Sequence, residues 1–247
     1  EDIKGKQNLL IIIDEIQIAA QEKQTIEKLF REGNLLDKNY LLENNIKFVE
    51  FTATPDGHAF DLANWGEHSE RIFMKNGKGY IGIKEFLERG RILQCKDLLC
   101  LSDEFGDEVE IDEEQAKKNI LEIKRYLETF NKPKYVIIRT PVGDYQNHVI
   151  KNLQFVFPNL REGANLYRYD GNSDIDNINN LLQKEPKETI IILIKEKLRA
   201  SKTICKKHLG ILYERCVNCF NDSSVIQGIA GRGTGYYLVN AELPFIF

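Results

Sequence analysis

Leu9-Leu10-Ile11-Ile12-Ile13-Asp14-Glu15-Ile16-Gln17 sets five apolar residues directly before two acids. An unbroken apolar run ending in three isoleucines reads as a strand buried on both faces, the pattern of a parallel sheet. The acids then fall at the carboxyl end of that strand, the edge where open α/β sheets take their ligands. Two adjacent carboxylates there can hold a magnesium ion and activate a water. The competing reading is a strand followed by an acidic helix start, which the helix dipole favours without any chemistry.

The remaining chain repeats the alternation of strand and helix. Residues 18–31 have helical spacing, and Gly33-Asn34 breaks it. Residues 46–51 read as the next strand and end in the turn-forming Thr52-Ala53-Thr54-Pro55-Asp56-Gly57. Residues 71–74 and 98–101 are strand candidates, and 83–89 has the spacing of a short helix. The acid-rich stretch 102–114 reads as a linker. Beyond it, helices are expected at 113–129, 143–155, 174–184 and 223–230. Strands are expected at 135–140, 165–169, 189–194, 209–213 and 236–239. Strands alternating with helices imply parallel sheets. The expected fold class is α/β in two successive units, residues 1–108 and 109–247.

At 247 residues, 42% hydrophobic and 29% charged, the chain can build packed cores. A net charge of −4 argues against a generally basic nucleic-acid coat but leaves room for a local basic channel. No apolar stretch approaches the roughly 18 residues of a membrane span, and the N-terminus has no signal-peptide pattern. Five cysteines, an odd number, point to a reducing compartment, cytoplasmic or nuclear, rather than a disulfide framework. The start at Glu1 rather than Met, with a strand almost at once, is read as a piece of a longer protein.

Five stretches, in this order and spacing, resemble one family: the superfamily-two helicases and translocases of the DExH/DExQ type, DEAD-like members of the P-loop NTPase superfamily. Asp14-Glu15-Ile16-Gln17 resembles motif II (Walker B), and Thr52-Ala53-Thr54 resembles motif III. Tyr135 to Thr140 resembles motif IV, and Lys197-Leu198-Arg199-Ala200-Ser201-Lys202-Thr203 sits where motif V belongs. Gln227-Gly228-Ile229-Ala230-Gly231-Arg232 resembles motif VI. The resemblance covers nearly the whole chain. Its Lys- and Asn-rich style and the Gly-Tyr ending of motif VI are similar to viral and phage members.

The resemblance implies two RecA-like parallel-sheet domains in tandem, the first incomplete at its N-terminus, with ATP and Mg2+ in the cleft between them. It implies that Asp14 holds magnesium and that Glu15 orients or deprotonates the attacking water. Gln17 would relay the nucleotide's state to Thr52 and Thr54; turn capping is the other account of those threonines. Arg232 would be an arginine finger, with Gln227 and Gly231 facing the same cleft; the other account of Arg232 is a glycine-flanked surface arginine. Thr140, Arg199, Lys202 and Thr203 would contact a nucleic-acid backbone, DNA in preference to RNA. The wider basic run Lys195, Lys197, Arg199, Lys202, Lys206 and Lys207 reads either as that track or as a solvated face.

The sequence departs from the family in two places. Many members carry a second arginine three residues after the first; Gly235 stands there, and one extra residue separates Gln227 from Gly231. No G-x-x-x-x-G-K-[ST] precedes motif II, since Gly5-Lys6 is followed by Gln7. The phosphate cradle is therefore expected upstream in the native protein, and this stretch alone is expected to be inactive as an ATPase. A non-catalytic nucleic-acid-binding or scaffolding module on the same fold is the alternative, and the motor of a restriction-type enzyme would share these motifs. Cys205-x2-His208 and Cys216-x2-Cys219 have zinc-like spacing, but the strand expected between them holds the two pairs apart. Trp65 could stack a base, though a half-buried structural role suits it better.

Overall fold

The computed structural model describes residues 5–14, 25–51, 65–102, 110–141, 143–170, 175, 177–195, 197–198, 203–216 and 226–247. It is an α/β structure that divides into two compact units, Glu1–Lys75 and Asn76–Phe247. The sequence reading ended the first unit at residue 108. Residues 76–102 instead pack with the second unit: Ile92 bridges Ile246, and Phe86 is fully buried in the second unit's core.

The first unit contains strand β1 (Leu10–Asp14) paired in parallel with β2 (Lys47–Phe51), and helices α1 (Thr25–Glu32) and α2 (Lys38–Glu43). Asp37 caps α2 by accepting hydrogen bonds from the backbone N–H groups of Asn39 and Tyr40. One face of the strand pair packs on Leu35, Leu41 and Ile46, with Leu9, Ile11, Phe48 and Trp65 around them. The other face is open. Leu10 is 60% exposed and Ile12 63%, and Val49 and Phe51 are exposed beside them. The expectation of a strand buried on both faces is corrected: β1 alternates, because no layer among the described residues covers its outer side.

The second unit is built on a five-stranded sheet, all parallel, in the order β11-β9-β6-β8-β7. Its strands are β6 (Tyr135–Arg139), β7 (Leu166–Tyr169), β8 (Ile190–Ile194), β9 (Leu209–Tyr213) and β11 (Phe245–Ile246). Four accessory strands pair outside this sheet: β3 (Tyr80–Ile81) with β10 (Gly235–Tyr236), and β4 (Leu101–Ser102) with β5 (Glu110–Ile111). The continuous apolar runs of β6, β8 and β9 are buried because both faces are covered. Val136, Ile138, Ile191 and Leu193 point into a core shared with α4 (Glu113–Leu127) and α5 (Asp144–Val156). Tyr135, Ile137, Ile192 and Ile194 point the other way, onto Phe86 of α3 (Ile83–Glu88) and Ile178 and Leu182 of α6 (Ile178–Leu182).

Several boundaries differ from the sequence reading. Residues 71–74 form no strand, and Ile72, Phe73 and Met74 are exposed. Helix α6 starts at Ile178 under an Asn177 cap; Ser173, the expected cap, lies outside the described residues. Residues 226–230 form a wide π turn interrupted at Gly228 instead of a regular helix. Strand β11 had no signal of its own, because a two-residue pairing after Pro244 is too short to show a period. Among the described residues no helix is long and apolar enough to cross a membrane.

Candidate functional site

Two of the sequence-derived site residues, Asp14 and Thr140, stand at the carboxyl ends of parallel strands. In the first unit, Asp14 ends β1 and stands in register with Phe51, the last residue of β2. Asp14 and Phe51, after which the stretches resembling motifs II and III continue, therefore share one edge of one sheet. Asp14 is exposed. A single carboxylate at a strand end suits a magnesium ion that keeps its waters and is completed by phosphate oxygens. Among the described residues, no three His, Cys, Asp or Glu side chains converge into a protein-only metal site. Glu15, Gln17, Thr52 and Thr54 lie outside the described residues.

In the second unit the strand order sets the geometry. From β6 the chain passes to β7 and β8 on one side of the sheet, then to β9 and β11 on the other. The reversal falls between β6 and β9, so the crevice at their carboxyl ends is the topological switch point, the usual ligand position in an open α/β sheet. An ion pair fills it. Arg139, the last residue of β6, donates from Nε to Glu214 Oε1 at 2.7 Å, and Glu214 directly follows β9. The two side chains are 18% and 10% exposed.

This pair reaches three further backbone groups. Arg139 Nη1 donates to the Lys197 carbonyl at 3.5 Å. Glu214 Oε2 accepts from the Ile229 N–H at 3.3 Å, and Oε1 accepts from the Arg215 N–H at 3.0 Å. Gly228 lies close against the pair: a Cβ there would stand 3.0 Å from Glu214 Oε2 and 3.5 Å from Arg139 Nη2. Leu198, next to Lys197, is buried and holds a positive φ of 55°, a conformation that costs a bulky residue energy and survives only where packing enforces it.

The turn at Ile226–Ala230 continues into a single helical turn, Gly231–Gly233, which carries Arg232 half-buried. Gly233 packs on Leu212 and Ile246, and Tyr237 donates a hydrogen bond to its carbonyl. Tyr80 donates to the Thr234 hydroxyl at 3.0 Å and tethers the turn to β3. Lys206 lies close by: burial, with a smaller contribution from the nearby Arg232 charge, lowers its pKa. Its ammonium approaches Gly235, where a Cβ would stand 3.0 Å from Nζ. Gly235 has φ 133°, which only glycine adopts without strain. The backbone itself thus disfavours the second arginine that the family pattern places there, and a lysine charge stands beside the position.

The remaining sequence-derived residues are less open than expected. Thr140 is only 4% exposed, and its hydroxyl accepts a 2.8 Å hydrogen bond from Gln146 in α5. Gln146 in turn accepts from Arg168. Thr203 is exposed, and its carbonyl accepts from Asn179. Lys197 extends over the Tyr169 ring at 5.6 Å. Arg199 and Lys202 lie outside the described residues, as does the side chain of Gln227. Trp65 is half-buried against the first unit's core. Strand β9 separates His208 from Cys216, while Cys219 lies outside the described residues.

Sequence reasoning did not single out Arg139 or Glu214. The usable signal was the one that flagged Asp14, a charged residue at the carboxyl end of a buried apolar strand. Both residues stand at such ends, but their pairing needs the strand order, which a single sequence does not state.

No protein-family model and no solved structure gives a significant match to the chain. An uncharacterized protein of Acanthamoeba polyphaga mimivirus is 29% identical over 238 residues, which covers 92% of this chain and 53% of that relative. The chain spans about half the length of the relative it matches.

Proposed function

We propose that this chain is part of an ATP-dependent nucleic-acid helicase or translocase motor with two RecA-like domains. The observation that carries the reading is the grouping of the motifs on carboxyl strand edges. Motifs II and III leave the parallel pair β1–β2 side by side at Asp14 and Phe51. Motifs IV, V and VI meet at the Arg139–Glu214 pair on the five-stranded sheet. Ligand chemistry in open α/β sheets collects at such edges.

In this reading Asp14 would hold the magnesium ion of MgATP, and Glu15 would take the proton of, or orient, the attacking water. Mg2+ and ATP supply the phosphoryl chemistry when bound. Arg232 offers a planar charged fork to the charge that develops on the phosphoryl oxygens, and Lys206 adds a second positive charge beside it. The exposed apolar face of Leu10, Ile12, Val49 and Phe51 suits cover by a further layer of the native protein, the part expected to carry the phosphate cradle. Residues 197–203 follow the nucleic-acid backbone by charge, without reading bases.

The test is ATP hydrolysis by the native full-length protein, with and without single-stranded DNA or RNA. The reading expects turnover stimulated by nucleic acid and abolished in Glu15→Gln. Normal turnover in that variant sinks it. A second reading, a non-catalytic nucleic-acid-binding scaffold, is favoured by Gly235 in place of the second arginine. It expects nucleic-acid binding with no turnover.

A further inference from the structure

We propose that Glu214 is a positioning residue that, together with Arg139, locks motif VI to motif V across the switch point of the five-stranded sheet. The inference rests on the motor reading for what the lock serves, but its geometry stands apart from that reading.

One carboxylate makes contacts in two directions. Oε1 binds Arg139 at 2.7 Å, and Oε2 receives the Ile229 N–H at 3.3 Å. Arg139 passes the connection on to the Lys197 carbonyl. Four chain segments, the ends of β6 and β9, residues 197–198, and residues 228–229, thus converge on one ion pair. A guanidinium and a carboxylate this deeply buried are costly to desolvate, and a purely apolar plug would pack the same crevice as stably or better. What the pair adds over an apolar plug is direction. The guanidinium fork and the carboxylate each fix their partners at set angles. The kinked path at Gly228, with ψ −129°, brings the Ile229 N–H onto the carboxylate, and Gly228 leaves the room for it. Arg232 follows Ile229 by three residues, so the orientation of its turn is referred to the sheet through Glu214.

The pair also occupies the position that an open α/β sheet normally offers to a ligand. The protein's own charges therefore stand between β6 and β9, and the half-buried Arg232 follows on the adjoining turn. Movement of the nucleic-acid-proximal segment at Lys197 then reaches the Arg232 turn through two side chains.

Hydrogen–deuterium exchange in the native full-length protein tests this directly. Arg139→Lys keeps the positive charge but loses the guanidinium fork, and it removes no atom that touches Ile229. The expected result is an Ile229 amide that exchanges at least tenfold faster in both Arg139→Lys and Glu214→Gln. The Ile137 and Leu193 amides in the sheet should change by less than threefold. An unchanged Ile229 in Arg139→Lys overturns the proposal, and so does an acceleration matched by Ile137 and Leu193. If Glu214→Gln does not fold, Arg139→Lys carries the test alone. In ATP turnover, Arg139→Lys should lower kcat at least tenfold with KM for ATP within twofold, whereas a rise in KM alone counts against the proposal. A wild-type protein without turnover removes the motor reading and leaves the exchange result standing.

Discussion

The two parallel sheets of this chain are made of similar residues and treated differently. In the second unit Ile191, Ile192, Leu193 and Ile194 of β8 are all fully buried, because helices cover both faces. In the first unit Leu10 and Ile12 of β1, from an equally apolar run, stand 60% and 63% exposed. The difference teaches that an unbroken apolar strand reports the cover its sheet is meant to have, not the cover a given set of residues provides. Among the described residues the second sheet is covered on both faces, and Arg139 and Glu214 pair at its switch point. The first is a half-covered pair whose open face is the kind of surface that mediates association.

The largest expected effect sets the two sheets directly against each other. Ile192→Ala should cost about 2–5 kcal/mol, the usual range for emptying a fully buried aliphatic site. Ile12→Ala should change stability by less than about 0.5 kcal/mol. Urea unfolding followed by circular dichroism reads the first, and the fluorescence of Trp65, the sole tryptophan, reads the unit that holds Ile12. An Ile12→Ala cost equal to that of Ile192→Ala would mean that β1 is covered and would break the comparison.

A smaller effect is expected at the plugged crevice. Gly228→Ala forces a methyl group to 3.0 Å from Glu214 Oε2, so the ion pair or the turn must shift. Overpacking of this kind costs about 1–3 kcal/mol, measurable as a lowered urea midpoint in the second unit. Alanine at Gly5, where nothing lies within 4 Å but φ is +79°, isolates the cost of backbone strain without crowding.

The next effect depends on pH. Burial, followed by the charge of neighbouring Lys207, lowers the pKa of His208, and its Nε2 is buried without a hydrogen-bond partner among the described residues. The fold therefore disfavours the imidazolium. The sign follows: the stability linked to His208 is fully present above its ordinary pKa of 6.5. It falls as the pH drops below that value and through the lowered one, since the unfolded chain binds the proton more readily. His208→Gln should flatten the stability profile between about pH 7.5 and 5. A profile as steep as that of the wild type would assign the slope to other groups.

The smallest expected effect concerns thiol chemistry. Burial pushes the Cys95 thiol up to about 11, with a further contribution from the adjacent Cys216. Burial, then the charges of Asp97 and Asp112, pushes Cys100 to about 11. Both should alkylate slowly in the folded protein at pH 8 and faster as the pH approaches 10, read by mass spectrometry after brief iodoacetamide labelling. Fast labelling of either at pH 8 would place it in a more open setting.

Much of the second sheet was legible in the sequence, because runs such as Tyr135-Val136-Ile137-Ile138 and Ile191-Ile192-Leu193-Ile194 are apolar enough to require burial. The strand order was not, since it is set by which faces the crossing helices cover. Burial of Thr140 was also hidden: a threonine ending a strand looks the same whether it meets solvent or Gln146. Gly235 was read as a missing arginine, and its backbone angle supplies the physical reason for the glycine. Asp14 was legible as an acid at a strand edge, whereas Arg139 and Glu214 became partners only once β6 and β9 were neighbours.

In the proposed motor reading, Asp14 and Glu15 would serve the magnesium ion and the attacking water, and Arg232 the charge on the phosphoryl oxygens. That reading is tested most directly by single-turnover ATP hydrolysis in the native full-length protein carrying Arg232→Ala. The account expects ATP binding to be retained and the hydrolysis rate to fall by about 10³-fold, the scale of an arginine finger. Hydrolysis at the wild-type rate in that variant would contradict it.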